Sequence, residues 1–320
     1  MTTALLERPD TSAATRREFL AGLAAAGLLS GCASTPPAAP LSGTVDFRYL
    51  DVVATVPAQP ERVLVVEGRG DLEFALSAGY PVIATGLFGA ERAIAPHLAS
   101  PETRDVTILR SAYDAMDYEE IAALAPDLIL QPADAAAADF YGNDLLAAIA
   151  PVLPVTARSG SWREDLLTQA ELLGRRAQAD ALVGGYDDAV RRARAELGDV
   201  AARGRVAMLA YGASALVWTD TLATTVGADL GMDLAFHDPG GAEPGFAVAP
   251  ETFSVLAEAD VLFLQASNPA APEELAAVPT WQALPAVRAG RVVTLSPALN
   301  NGFARTATAL VEVFAGALRG

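Results

Sequence analysis

From Trp162 to Leu197 the chain carries no strand signal, while on either side short apolar runs alternate with amphipathic stretches. Within that window Leu166, Leu167, Ala170, Leu173, Ala177, Ala181 and Leu182 recur at helical spacing. A long helical segment between two alternating halves restricts the chain to two lobes and a connector. Gly174 and the Gly184-Gly185 pair weaken the case for one unbroken helix there, because glycine is a poor helix former. In the first half Arg62–Val66, Val82–Thr85, Leu128–Leu130 and Val152–Thr156 read as strands, with helices over Asp71–Gly79, Tyr118–Leu124 and Leu145–Ile149. In the second half Val206–Ala210, Val261–Leu264 and Val292–Leu295 read as strands, with helices over Ala223–Gly231, Glu251–Glu258 and Thr306–Leu318. Such alternation makes βα units and a largely parallel sheet. The expected fold class is α/β: a lobe over residues 45–160, one connecting helix over 161–198 and a second lobe over 199–320.

A weak repeat relates the lobes. Glu119 and Glu251 each open a helix, a Leu follows five residues later, and Asp127 or Asp260 then leads a strand. The gap from Glu to Asp is eight residues in one copy and nine in the other. Glutamate suits helix starts in any case, but matching positions in two lobes suggest a pseudo-twofold relation.

Ahead of the lobes, Thr15-Arg16-Arg17-Glu18-Phe19-Leu20 precedes an apolar stretch that ends in Leu29-Ser30-Gly31-Cys32. The twin Arg and short apolar region resemble a twin-arginine export signal, and the last four residues resemble a lipoprotein box. By that resemblance residues 1–31 are a removable signal and Cys32 is lipidated. Residues 32–44, rich in Ser, Thr, Pro and Ala, then form a tether. The protein is expected outside the cell interior, anchored by lipid to the outer face of the cytoplasmic membrane. No apolar run is long enough to span a bilayer. Residues 1–31 contain equal numbers of acidic and basic side chains, so the mature body keeps the net charge of -17.

That charge argues against a sequence-independent grip on nucleic acid, which needs a basic face. All 22 basic residues are Arg, so a phosphate-binding loop ending in Gly-Lys cannot form. Gly68-Arg69-Gly70 follows a strand, but Glu73 stands where a dinucleotide loop needs its third Gly. One cysteine excludes an intrachain disulfide and a multi-Cys metal site, and two histidines exclude a three-His site. No direct metal site, cofactor or catalytic residue is expected.

The loops after strands, where an α/β sheet takes its ligand, carry Arg69, Phe88, Arg92, Arg110, Tyr113 and Tyr141 in the first half. In the second half they carry Tyr211, Trp218, Phe236, His237, Phe246, Asn268, Asn300, Phe303 and Arg305. Together they describe a cleft with aromatic walls and several Arg, suited to a bulky, flat, partly anionic ligand. An anionic ferric chelate would account for Arg69, Arg92, Arg110 and Arg305 in an acidic protein.

The segments Pro60–Val66, Glu119–Leu130, Glu251–Phe263, Trp281–Val287 and Gly290–Val293 together resemble the substrate-binding lipoproteins of ABC importers for iron–siderophore, haem and cobalamin. The resemblance implies two α/β lobes joined by one rigid helix, with ligand held in a cleft between them and passed to a permease dimer. It also implies that Glu119 and Glu251 dock on permease Arg residues, with Glu120 an adjacent competitor for the first role. The expected function is capture of a ferric siderophore by a monomeric, lipid-anchored binding protein. The alternatives are cobalamin or haem within the same family, or an exported α/β hydrolase, for which no nucleophile–base pair announces itself.

Overall fold

The computed structural model describes residues 43–88, 93–111, 115–212, 215–237, 245–266 and 270–319. The signal, Cys32 and the tether up to residue 42 lie outside the described residues.

Strands β1 (Thr44–Tyr49) and β2 (Val52–Pro57) pair antiparallel. This hairpin has no counterpart in the strands read from sequence. The first lobe holds a five-stranded, all-parallel sheet of β3 (Val63–Val65), β4 (Val82–Thr85), β5 (Thr107–Ile108), β6 (Leu128–Pro132) and β7 (Val152–Val155). Its strand order is β5-β4-β3-β6-β7. The direction of winding therefore reverses between β3 and β6. Helices α1 (Gly70–Ser77), α2 (Tyr118–Ala123), α3 (Ala133–Ala137) and α4 (Asn143–Ala147) connect its strands.

The connector is two helices, α5 (Trp162–Leu172) and α6 (Arg176–Leu197). The single helix expected over 161–198 is interrupted at Gly174, whose φ of 69° is left-handed. Glycine alone reaches that region without strain. The Gly184-Gly185 pair stays helical within α6. In the second lobe β8 (Arg205–Tyr211), β12 (Val261–Ala266) and β13 (Val292–Leu295) are parallel. Strand β9 (Ala215–Trp218) runs antiparallel to β8, and β11 (Gly245–Val248) antiparallel to β9. The short β10 (Asp233–Leu234) pairs parallel with the start of β8. Helix α7 (Leu222–Leu230), three short helices α8 (Ala271–Ala276), α9 (Pro279–Gln282) and α10 (Pro285–Arg288), and the terminal helix α11 (Ala304–Arg319) complete the lobe.

The central strands split their side chains by alternation. Val63, Val65, Leu128, Leu130, Val206, Met208, Val261 and Phe263 face one continuous apolar cluster that also contains Trp162, Tyr186 and Phe314. Leu64 and Ile129 face a separate outer cluster in the first lobe, and Leu209, Leu262 and Leu264 one in the second. The lobes thus share an interior through the connector and the terminal helix.

The repeat has a structural counterpart. Asp127 donates its N–H to Arg62 O at 3.0 Å and accepts from Arg62 N at 2.9 Å on Oδ1. Asp260 donates to Arg205 O at 2.7 Å and accepts from Arg205 N at 2.8 Å on Oδ2. The same clamp joins the entry of the inner strand pair in each lobe, β3 with β6 and β8 with β12.

Glu73 on α1 staples the terminal helix to the first lobe. Its carboxylate is fully buried. It accepts hydrogen bonds from Phe303 N at 2.7 Å, Arg305 N at 2.6 Å and the Thr306 hydroxyl at 2.5 Å. The two N–H groups are donors that an α-helix leaves unpaired at its start. Burial pushes the Glu73 carboxyl above its ordinary range, while the N–H groups of Phe303 and Arg305 and the Thr306 hydroxyl pull it back. His97 Nε2 lies 3.1 Å from Thr306 Oγ1. Burial pushes this imidazole down to about 4, so it is neutral at physiological pH and can donate to Thr306. Phe74 and Phe303 pack beside the staple with ring centroids 5.9 Å apart. Glu73→Ala should leave several buried donors without an acceptor and lower the unfolding free energy by about 3 kcal/mol. Glu73→Gln, which keeps one acceptor oxygen, should lose less. Urea unfolding of the three proteins checks both, and a loss for Glu73→Ala within error of zero would refute the staple.

Candidate functional site

In an open α/β sheet the crevice forms at the carboxyl ends of the strands where winding reverses. In the first lobe that point lies between β3 and β6, and the loop after β3 is Val66-Glu67-Gly68-Arg69-Gly70. Gly68 has φ 81°, and a Cβ on it would strike the carbonyl oxygen of Gly86 after β4. A Cβ on Gly86 would in turn strike Val66 O. Both glycines are needed because two backbones touch. Asp71 closes the loop, accepting from Glu67 N at 2.9 Å, Arg69 N at 3.1 Å and Leu72 N at 2.9 Å. These amides are committed to Asp71 and do not form a phosphate cradle, in agreement with the rejection of a dinucleotide loop from sequence.

Arg69 lies over the ring of Phe88, 3.6 Å from its centroid, and pairs with Glu67 at 2.5 Å. Burial pushes the Glu67 carboxyl up to about 7; the charge of Asp71 adds to this, Arg69 opposes it and Asp134 adds slightly. Burial likewise raises the Asp71 carboxyl against three backbone hydrogen bonds. Beside this cluster is a small hollow of about 150 Å³ lined by Asp71, Asp134, Thr156, Arg158 and Asn301. Four of these come from the first lobe and its exit toward the connector, and Asn301 from the loop before α11. A Cβ on Gly70 would collide with the Asn301 side chain, so the two lobes meet at this floor.

Arg158 is held from behind. Asp165 on α5 is fully buried and takes the Arg158 guanidinium at 2.6 Å through Nη2 and 3.1 Å through Nε. Tyr49 of the hairpin donates to Asp165 at 2.7 Å and accepts from Arg158 Nη2 at 3.1 Å. The carboxylate raises the Arg158 guanidinium above its ordinary range.

The candidates read from sequence separate into groups. Arg69 and Phe88 lie together at the strand edge. Arg110 is 84% exposed and pairs with Glu120 at 2.9 Å. The Arg305 side chain lies 3.9 Å from Glu102. With His97, Gly185 and Glu312 it lines a larger open groove of about 540 Å³ between α6 and α11. That groove is lined mainly by α6 and α11 and by none of the loop residues at the reversal between β3 and β6, so the candidate site is assigned to the smaller hollow. His237 is exposed, and Phe236 and Phe246 pack edge to face at 5.6 Å. Arg92, Tyr113 and Asn268 lie outside the described residues.

Two expectations are corrected. Tyr141, Tyr211, Trp218 and Phe303 do not line an aromatic wall: each is less than 9% exposed and belongs to an apolar cluster. Tyr211 and Trp218 are strand residues, and burying a large ring in the adjacent layer stabilises more than leaving it at the rim. The Arg set is not an unbalanced positive patch either, since each described member faces a carboxylate. Reasoning from sequence overlooked Glu67, Asp71, Asp134, Arg158 and Asn301. The usable signal was Asp71 at the head of, and Glu73 inside, the apolar run Leu72-Glu73-Phe74-Ala75-Leu76, because a charge is buried there only with partners.

Among the described residues no group of three or more His, Cys, Asp or Glu side chains could hold a metal ion. No described helix is long and apolar enough to cross a membrane.

Residues 83–299 match the model of the periplasmic binding protein family, and the chain belongs to that family. It is accordingly a binding protein and not an enzyme. No curated protein matches it. Among solved structures, SirA of Staphylococcus aureus complexed with staphyloferrin B is similar, with 20% identity and a TM-score of 0.67 over 86% of this chain and 99% of that one. FeuA of Bacillus subtilis complexed with ferri-bacillibactin gives 18% and 0.66 over 86% and 98%. FhuD of Vibrio cholerae, bound to Fe3+-Desferal, gives 20% and 0.63 over 81% and 97%. In the FeuA and FhuD structures a ferric chelate is the bound ligand, not a resident cofactor.

Proposed function

We propose that the chain is an extracytoplasmic, lipid-anchored solute-binding protein that captures a ferric siderophore between its lobes and delivers it to an ABC importer permease. The observation that carries this reading is the charged floor where the Glu67–Asp71 loop, Arg158 and Asn301 meet between two pseudo-symmetric lobes. Structures of the same fold with ferric siderophores bound support the ligand class. Cys32 in its box and the Ser, Thr, Pro and Ala that follow it support a lipid anchor followed by a tether.

Docking by Glu119 and Glu251 is supported by the paired clamps of Asp127 and Asp260, which make the two segments structural equivalents. Both glutamates are exposed. The competitor Glu120 is taken by Arg110 through its side chain and its backbone N–H, which favours Glu119. Exposed carboxylates can accept paired hydrogen bonds from permease Arg and so orient the complex.

Titration of ferric siderophores, haem and cobalamin against the fluorescence of Trp162, Trp218 and Trp281 should show a ferric chelate binding below micromolar, at least about 8 kcal/mol. Haem or cobalamin binding with no response to any ferric chelate would overturn the siderophore reading and leave the fold untouched. In reconstituted vesicles Glu119→Ala/Glu251→Ala should keep its fold and ligand affinity but lose transport; normal uptake would end the docking assignment. Cys32→Ala should move the folded protein out of the membrane fraction, and its retention there would refute the anchor.

A further inference from the structure

We propose that the cleft selects a ferric chelate without net negative charge, such as iron held by three hydroxamates, over the triply anionic chelate made by three catecholates. The inference rests on the siderophore reading above and deepens it.

The described cations at the cleft floor already hold carboxylates of the protein. Arg69 is clamped by Glu67, with side chains only 14% and 7% exposed. Arg158 is clamped by Asp165, which has no exposure at all. The remaining charges on the hollow are Asp71 and Asp134. Asp71 spends both oxygens on backbone N–H groups. Asp134 is exposed and uses one oxygen to accept from Ala135 N at 2.9 Å. Counted together, the described floor carries more carboxylates than guanidinium groups.

An anionic chelate that recruits Arg69 would have to take it away from Glu67. That would leave Glu67 buried beside Asp71 and Asp134 with no cation, and removing one partner of a buried pair costs far more than the pair contributes. The chelate would also approach Asp134 directly. A neutral chelate requires neither change. Its oxygens can accept from guanidinium N–H groups that the internal carboxylates leave over. In Arg158 the contacts to Asp165 and Tyr49 use Nε and Nη2 and leave Nη1. Three hydroxamates balance the charge of Fe3+, and three catecholates do not. The internal carboxylates act as a filter, because specificity is a difference of affinities and like charges placed together count against the wrong ligand.

The test titrates the full chain with an uncharged ferric tris-hydroxamate and with a ferric tris-catecholate, reading tryptophan fluorescence at constant pH and salt. The hydroxamate complex should bind at least about 100-fold more tightly. Glu67→Gln and Asp134→Asn should each narrow that ratio about tenfold or more, chiefly by strengthening the catecholate complex. Asp134 is exposed, so its variant keeps the question open to test should Glu67→Gln fold poorly. Equal or tighter binding of the catecholate complex by the wild-type protein would overturn the proposal, as would a ratio unchanged in both variants. Failure of both ferric chelates, with haem or cobalamin bound instead, is a different result: it removes the siderophore reading itself.

Discussion

Glu73 places a carboxylate where water cannot reach it, and the rest of the molecule is arranged so that this is tolerable. An isolated buried carboxylate would shift its pKa and neutralise. Here it meets the start of α11, whose unpaired N–H groups and dipole favour negative charge. The bond spans 230 residues of sequence, from Glu73 to Phe303. It joins a helix of the first lobe to a helix that lies along the connector. Gly302 belongs to the same junction, since a Cβ there would strike both Glu73 and Thr306. Any rotation of the first lobe about this point would pull donors from a charge that has no other partners. A second restraint acts within the connector: Arg163 on α5 reaches Asp187 on α6 and Asp229 on α7 at 2.7 and 3.2 Å. Tyr186 donates to Asp229 at 2.7 Å.

The fold class was largely legible because its carriers are local. The apolar runs that became β3, β6, β8 and β12 are short and bounded, and such runs read as strands when helices alternate with them. The strand-free window was legible for the same reason, and its break fell on Gly174, where the weakness was visible. The hairpin was not legible. Thr44–Tyr49 alternates cleanly and was overlooked, whereas Val52–Pro57 alternates only loosely; Phe47 and Val56 are buried because the neighbouring sheet and α5 lie under them. Strands β9, β10 and β11 escaped for a similar reason: they are two to four residues long and exist by pairing, not by propensity.

The site was legible by position and illegible by charge. Loops after strands could be picked out from the βα order alone, and Arg69 became a candidate that way. Whether an Arg there offers its charge to solvent or spends it on a neighbour depends on who faces it. For Arg69 the partner sits two residues away, for Arg110 ten and for Arg305 some two hundred. Arg158 was missed because it follows β7 beside no other distinctive residue, and its anchor Asp165 reads in sequence as an ordinary helix-start acid. The aromatics failed for a related reason. A ring after or within a strand can turn toward the rim or into the layer below, and only the packing of that layer decides.

A protein whose lobes are tied at Glu73 and whose connector is braced by Arg163 has little freedom to recognise a ligand by closing around it. Discrimination then has to be built into the resting cleft. An unpaired Arg in an open cleft would attract any anion, including abundant small inorganic ones. Pairing each Arg with a buried carboxylate removes that attraction and keeps the guanidinium oriented, because the planar fork is held by fixed oxygens. The loop that does this is expensive in sequence. It needs Gly68 and Gly86 to bring two backbones together, Asp71 to hold the turn, and Glu67 raised to about 7 by burial. Such a loop spends stability on electrostatics held in place before the ligand arrives, which is what a rigid binder requires and a closing one does not.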